Sequence, residues 1–466
     1  MGPGRFVGRA AELRTLVAAY DGPASSLIPI YGRRRVGKSE LILRFLGERR
    51  GLYFLGKQAP GALQRREFLE TAALVLDEPL LATASFDGWK NALAAVSDRW
   101  TRSEKLVLVF DEFQWTVAAS PELPSVLQDL WDRRWRASGR TLVILCGSYI
   151  GFMERQVLGR KSPLFGRRTA QILLRPFDYR EAALFHPAYS TVDRARAYFV
   201  CGGVPWYLSR FDARRSIEAN LVAEVLEEHA PLRHEPEFLL REELREVESY
   251  FAVLLAIAGG RVTPRDISQA TGIGDRSLHY YLQQLVQLGY LRRRYPLTGG
   301  PTAARHVRFA LDDALLRFWF RFVFPNTSYL AQMGPERAFR DRIRPDLDGY
   351  LGSCFEGLCR EALPHLYSRE RGAAPFEVGE YWDKRCQIDV VGIRQDGWTD
   401  LGECRWGAVR SARAVRDELE AKVGLYPNRR NATIGRRIFT REAAPRERGR
   451  PNDAVVRWHD LGDLYR

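Results

Sequence analysis

At 466 residues the chain is too long for one hydrophobic core, so several domains are expected; hydrophobic residues at 45% and aromatics at 12% exclude a largely disordered protein. The longest apolar run, residues 251–258, is far too short for a membrane span, and six scattered cysteines without CxxC spacing argue against a disulfide framework or a zinc site. A formal net charge of +14, carried mostly by arginine, favours a polyanionic partner, and the absence of a signal-peptide apolar core makes a reducing cytoplasm the expected location.

In chain order, residues 27–31, 52–55, 106–110 and 141–146 are short runs, apolar at nearly every position and bounded by Gly, Asp or Ser. They alternate with amphipathic helical stretches, the pattern of a parallel α/β sheet buried on both faces. Pro29 is the exception within the first run, because proline cannot donate to a strand ladder. This α/β core spans residues 1–177, and a helical lid spans 178–246, with Tyr198, Phe199, Trp206, Tyr207 and Leu208 on its apolar face. Residues 247–325 read as three helices (247–258, 264–270 and 276–288), a strand, a Gly299-Gly300 turn, a return strand and an aromatic helix, the order of a winged helix-turn-helix. A linker holding Pro335 and Pro345 is expected over 326–345. The C-terminal domain, 346–466, reads as a helix, strands at 376–381, 387–393 and 398–405, a helix at 412–423 and a strand at 437–440.

Gly32-Arg33-Arg34-Arg35-Val36-Gly37-Lys38-Ser39 satisfies the Walker A pattern between a strand and an amphipathic run. Its backbone amides would point at the β-phosphate of ATP, aided by the positive end of the following helix. Lys38 would bridge the β- and γ-phosphates, and the Ser39 hydroxyl would ligate Mg2+. Asp111 and Glu112, closing an apolar strand, read as Walker B: the aspartate on the metal side, the glutamate orienting or deprotonating the attacking water. Ser148, ending the next strand, is a candidate γ-phosphate sensor or a plain helix cap. In the winged helix, Arg276, Ser277, His279 and Tyr280 open the third helix where DNA contacts would be made. Arg292, Arg293 and Arg294 on the wing form a candidate phosphate clamp. Use of this module as a protein-contact surface stays open.

Several segments together carry a family resemblance: Phe6-Val7-Gly8-Arg9 with Glu12-Leu13, the Walker A segment, Asp111-Glu112-Phe113-Gln114-Trp115, Cys146-Gly147-Ser148, Ser162 through Arg167, and Cys201-Gly202-Gly203-Val204-Pro205. Over nearly its whole length the chain resembles the archaeal-type P-loop ATPases of the AAA+/STAND group. The resemblance implies that Phe6, Gly8 and Arg9 cradle adenine, that Gly203 and Pro205 approach the nucleotide from the lid, and that Arg167 or Arg168 senses phosphate. It also implies that the C-terminal domain is the domain of unknown function that follows the ATPase in this family, similar to the PD-(D/E)xK, or restriction-endonuclease-like, nuclease fold. There Asp389 and Glu403, with Glu356 from the helix, would bind one Mg2+. Arg405 stands where that pattern has lysine, and a guanidinium cannot take a proton from water; Lys384 and Lys422 are the available substitutes. The expected function is an ATP-binding, slowly hydrolysing switch that couples nucleotide state to DNA binding. Two alternatives stay open: an ATP-gated, metal-dependent DNA nuclease, and a regulatory ATPase scaffold contacting protein partners or further copies of itself.

Overall fold

Uninterrupted apolar runs become strands that water cannot reach. In a computed structural model, which describes residues 6–47, 49–244, 246–300, 306–370, 374–443 and 456–466, the chain divides into two units, Met1–Pro176 and Phe177–Arg466. The first unit holds β1 (Ser26–Tyr31), β2 (Gly51–Leu55), β3 (Leu106–Asp111), β4 (Thr141–Gly147) and β5 (Ile172–Leu173). These form one parallel sheet in the order β2-β3-β4-β1-β5. Every residue of β1, β3 and β4 is buried. Alternation along the strands sends Ile28, Ile30, Val107 and Val109 into one core and Leu27, Leu106, Leu108 and Phe110 into the other. All five strands run the same way, so the segments following β1 and β3 emerge at one edge, where open α/β sheets bind ligands.

Pro29 sits inside β1 in register with Leu145. Leu27 and Tyr31, two residues to either side, both turn their backbone groups toward the β5 side, where they bond Thr169 and Leu174. Pro29 shares that parity, and β5 pairs with β1 only at Ile30 and Tyr31. The missing donor therefore falls where no ladder bond is required.

The second unit begins with helices, among them Tyr179–Ala183, started by an Asp178–Glu181 capping box, and Thr191–Cys201. Three further helices, Val247–Ala258, Pro264–Thr271 and Asp275–Gln287, precede an antiparallel hairpin of β6 (Leu291–Arg294) and β7 (Arg308–Leu311). A single core from Phe177 to Ile343 joins these pieces. The expected linker at 326–345 is helical instead: Thr327–Met333, Pro335–Ala338 and Phe339–Ile343 lead into the long helix Arg344–Arg369. Pro335 and Pro345 sit in the first turns of helices, where proline's missing N–H costs nothing. Trp319, Phe320, Phe322 and Val323, just before this segment, are buried in that core.

The unit ends in a five-stranded sheet of β8 (Phe376–Trp382), β9 (Gln387–Arg394), β10 (Trp398–Arg405), β11 (Thr433–Thr440) and β12 (Val456–Asp460). Its order is β12-β11-β10-β9-β8; the β8–β9 and β9–β10 pairs are antiparallel, and β10–β11 and β11–β12 are parallel. Helix Arg344–Arg369 packs Phe355, Leu358 and Leu363 on one face with Val390 and Phe439, while helix Ala412–Val423 covers Ile438 with Val415 and Leu419. Gly392 permits the first of these contacts, since a Cβ there would lie 2.1 Å from the Tyr367 hydroxyl. The polar strand β12 carries none of the apolar run that would announce it in the sequence.

Candidate active site

The loop after β1 is shaped by residues that tolerate left-handed backbone. Gly32 has φ 156°, and a Cβ there would lie 2.2 Å from the Leu174 carbonyl oxygen, so no other residue fits. Arg35 (φ 67°) and Gly37 (φ 89°) turn the chain again before the helix Lys38–Leu46 starts. The buried Lys38 ammonium donates to the carbonyls of Gly32 at 3.0 Å and Arg33 at 2.9 Å. Burial lowers its pKa, opposed by neighbouring acidic groups that include Glu112 and Asp111.

Asp111, at the end of β3 and 1% exposed, binds three donors. Ser39 Oγ donates to its Oδ2 at 2.6 Å, the Tyr53 hydroxyl donates to the same oxygen, and the Glu112 N–H donates to Oδ1 at 2.8 Å. A hydroxyl and a carboxylate in contact beside a loop of backbone amides are the protein groups Mg2+ uses when phosphates and water complete its octahedron, so the donor set fits that ion. Tyr53 reaches Asp111 from β2 and was not anticipated; a tyrosine in a half-buried strand carries no sequence signal for this contact. Burial, then the Asp111 bond, pushes its phenol pKa well above the ordinary value.

Glu112 adopts left-handed backbone (φ 48°). Its carboxylate accepts from Ser148 Oγ at 2.7 Å and from the Gln114 amide, and Gln114 Nε2 also donates to Ser148 Oγ at 3.2 Å. The glutamate is thus held in a closed triangle with the strand end where Ser148 sits. Gln114 was visible in the sequence only as part of the Asp111–Trp115 motif.

Arg9, also left-handed (φ 59°), is buried, and its guanidinium bonds the carbonyls of Val36 at 3.2 Å and Arg175 at 2.6 Å. It ties the loop after β1 to the segment after β5, a contact its sequence motif did not disclose. Gly8 precedes it with φ 68°, and Phe6 packs on the core beside Leu13 and under Arg44. Arg34 lies over the Tyr149 ring at 5.8 Å. Arg167, expected as a phosphate sensor, forms a two-pronged ion pair with Asp132. Gly203 and Pro205 belong to the second unit: a Cβ on Gly203 would lie 1.7 Å from the Phe177 carbonyl oxygen, and Pro205 opens the helix Pro205–Leu208.

In the C-terminal sheet the carboxylates expected to bind a metal lie near one another and are engaged by other partners. Asp389 on β9 accepts the Cys404 N–H at 3.0 Å. Glu403 on β10, 1% exposed, is taken up by Lys422 at 2.6 Å and Arg405 at 3.0 Å, and Arg405 also pairs with Glu418. Two cations thus occupy the carboxylate that would face a metal, and among the described residues no three His, Cys, Asp or Glu side chains converge as a metal site. Glu356 is pushed up to about 7 by burial and by the Asp389 charge.

On the helix Asp275–Gln287, Arg276, Ser277, His279 and Tyr280 are exposed while Leu278, Leu282 and Leu285 are buried. Arg292 and Arg293 are exposed on β6. Arg294 departs from the expected clamp: it lies on the same face of β6 as Arg292, but its guanidinium forks onto the buried carboxylate of Glu380. It is not part of an exposed clamp.

Residues 6–211 match a family described as an ATPase domain predominantly from Archaea, and residues 319–416 match DUF234, archaeal and bacterial proteins of unknown function. Protein MJECL04 of Methanocaldococcus jannaschii is 28% identical over 446 residues, covering 94% of this chain and 97% of the relative. Among solved structures, the Walker-type ATPase PABY2304 of Pyrococcus abyssi matches 68% of this chain and 96% of its own at 19% identity and TM-score 0.49. The Aeropyrum pernix ORC2 protein, solved as ADPNP-ADP complexes, matches 71% of this chain and 98% of its own at 15% identity and TM-score 0.49. No helix among the described residues is long and apolar enough to cross a membrane. The chain joins a predominantly archaeal ATPase domain, at residues 6–211, to a C-terminal domain of the DUF234 family.

Proposed function

We propose that the protein is an ATP-hydrolysing switch whose nucleotide state controls its grip on DNA. The observation that carries the reading is the 2.6 Å contact of Ser39 Oγ with Asp111, with Lys38 at the mouth of the same loop and Glu112 one residue away. Ser39 and Asp111 would hold Mg2+, which would draw charge from the β- and γ-phosphates as the terminal bond breaks. Lys38 would exchange its bonds to Gly32 and Arg33 for phosphate oxygens. Glu112 would accept the proton of the attacking water, and to reach it would leave the triangle with Ser148 and Gln114. That extra step is consistent with slow turnover.

The DNA half of the reading is supported by the chain's positive charge and by the exposed set Arg276, Ser277, His279, Tyr280, Arg292 and Arg293 on a winged-helix module. Its C-terminal domain is read as holding nucleic acid rather than cutting it, because Glu403 is already neutralised by Lys422 and Arg405. The test is a titration of labelled duplex DNA with full-length protein at several salt concentrations, with and without a slowly hydrolysed ATP analogue and Mg2+. Affinity that falls with salt and shifts with the analogue, the shift vanishing in Lys38→Ala, is expected. Binding indifferent to the analogue would remove the coupling.

A further inference from the structure

Within the second unit a cavity of about 550 Å³ opens between the β6–β7 hairpin and the helix Arg344–Arg369. Six arginines line it: Arg292, Arg294, Arg308, Arg317, Arg321 and Arg360; the lining carboxylates are Asp346 and Glu356. Part of this charge is compensated nearby. Arg294 is forked by Glu380, Arg360 lies 3.6 Å from the same carboxylate, Arg292 meets Asp312 at 3.6 Å and Arg321 meets Asp346 at 3.7 Å. The remaining two arginines have carboxylates only at longer range, Asp266 for Arg308 and Asp312 for Arg317. Arg308 stacks on Trp382 at 4.5 Å and Arg317 approaches the Tyr350 hydroxyl at 3.5 Å, and among the described residues neither has a carboxylate at ion-pair distance.

Cationic crowding of this kind is costly in a partly dry site. Its strain is visible in Arg294, whose pKa is pushed down to about 9 by burial and then by the charges of Arg360, Arg292 and Arg308. Glu356 meets Arg360 at 3.9 Å, so it answers a cation that Glu380 already approaches. Guanidinium forks match phosphate oxygens in geometry and remain charged where a lysine would neutralise. The volume exceeds what one phosphate fills and lies in the range of small-molecule sites.

We infer that this cavity is a second phosphoanion site, separate from the loop that follows β1, and that it takes a phosphate ester of nucleotide size whose phosphate meets Arg308 and Arg317, the two lining arginines outside any ion pair among the described residues. Such an ester reaches the site either as a free nucleotide or as the phosphorylated end of a nucleic-acid strand. Its walls come from both the hairpin and the C-terminal domain, so occupancy ties the two together. The inference does not rest on the switch reading: it stands if the protein never hydrolyses ATP.

The experiment uses full-length Lys38→Ala protein, so that binding at the phosphate loop is suppressed. Its affinity is measured for GMP, and for single-stranded oligonucleotides carrying either a 5′-phosphate or a 5′-hydroxyl. Arg308→Gln and Arg321→Gln are compared with the remote surface variant Arg337→Gln. Binding of GMP, or a preference of at least tenfold for the phosphorylated strand, is expected, weakened tenfold or more by Arg308→Gln and several-fold by Arg321→Gln but not by Arg337→Gln. GMP binding assigns the free nucleotide as source, and strand-end preference without GMP binding assigns the nucleic acid. Absence of both, or binding that Arg308→Gln and Arg321→Gln leave unchanged while each variant keeps the parent's unfolding midpoint, overturns the proposal. Should Arg308→Gln unfold, Arg321→Gln and competition by inorganic pyrophosphate decide the matter.

Discussion

Glu380 on β8 provides the sharpest test of how the hairpin is held. Its side chain is 6% exposed, it receives both prongs of the Arg294 guanidinium, and Arg360 stands 3.6 Å away. Replacing Glu380 by Gln keeps the shape but leaves the partly exposed Arg294 and the more buried Arg360 without the carboxylate they share. Breaking a buried pair by removing one partner costs roughly 3–5 kcal/mol, and because Arg294 remains 22% exposed the lower end applies, about 3 kcal/mol. That corresponds to roughly a hundredfold shift in the unfolding equilibrium. The measurement is equilibrium urea unfolding of the full-length protein, followed by circular dichroism, for Glu380→Gln, Arg294→Met and the double variant Arg294→Met/Glu380→Leu. The double variant, with charge and partner removed together, should recover most of the loss. If the single variants cost under about 1 kcal/mol, or if the double variant is simply the sum of two singles, the pair does not anchor the hairpin and the reasoning fails.

Other consequences follow from the same geometry. Glu112→Gln should bind ATP with near-parent affinity and turn over at least a hundredfold more slowly in a phosphate-release assay, an expectation refuted by unchanged hydrolysis. Arg9→Met removes two bonds to loop carbonyls and should weaken ATP binding by about tenfold or more, at roughly 1.5–3 kcal/mol per charge-assisted bond before water partly replaces them; calorimetric titration with ATP reads this directly. Ser148→Ala releases one arm of the Glu112 triangle; if that triangle restrains the base, steady-state ATP turnover rises, and a fall in turnover assigns Ser148 to the phosphate instead. Glu361 accepts from the Tyr198 hydroxyl and the Tyr179 N–H, and burial lifts its pKa from 4.5 to about 7. The folded state therefore keeps a proton that the unfolded chain releases, and stability falls as pH rises from about 4.5 to 7, by at most about 3 kcal/mol, then levels. Glu361→Gln keeps an oxygen for both donors and should remove that contribution from the thermal-stability profile, leaving the slope that Glu356 contributes with the same sign.

Much of the candidate site was readable along the chain because its residues are local. The glycines, lysine and serine of the Walker A segment lie within eight residues, so backbone geometry and the two side chains that matter are set by one short stretch. Asp111 and Glu112 were readable because an apolar run ending in two carboxylates is a strand ending at a sheet edge. Tyr53 was not, since its contact with Asp111 depends on β2 lying beside β3, a neighbour relation that the order of segments does not state. Arg9 was visible as a motif residue, yet its partners Val36 and Arg175 are brought to it only by folding. The prolines at 335 and 345 misled because proline marks a connector and a helix start equally well, and only the buried aromatic core around Trp319 and Phe322 distinguishes them.

Residue order by itself determined the alternation of strands and helices, the phosphate loop and the acidic pair, because each of these rests on short-range periodicity and backbone conformation. Tertiary structure alone decided the charge relations. It turned Arg294 inward onto Glu380, closed Glu403 between Lys422 and Arg405, and gathered six arginines from distant segments around one cavity. Ion pairing and burial depend on distances across the fold, and two residues far apart in sequence acquire such a distance only when the sheets and helices pack.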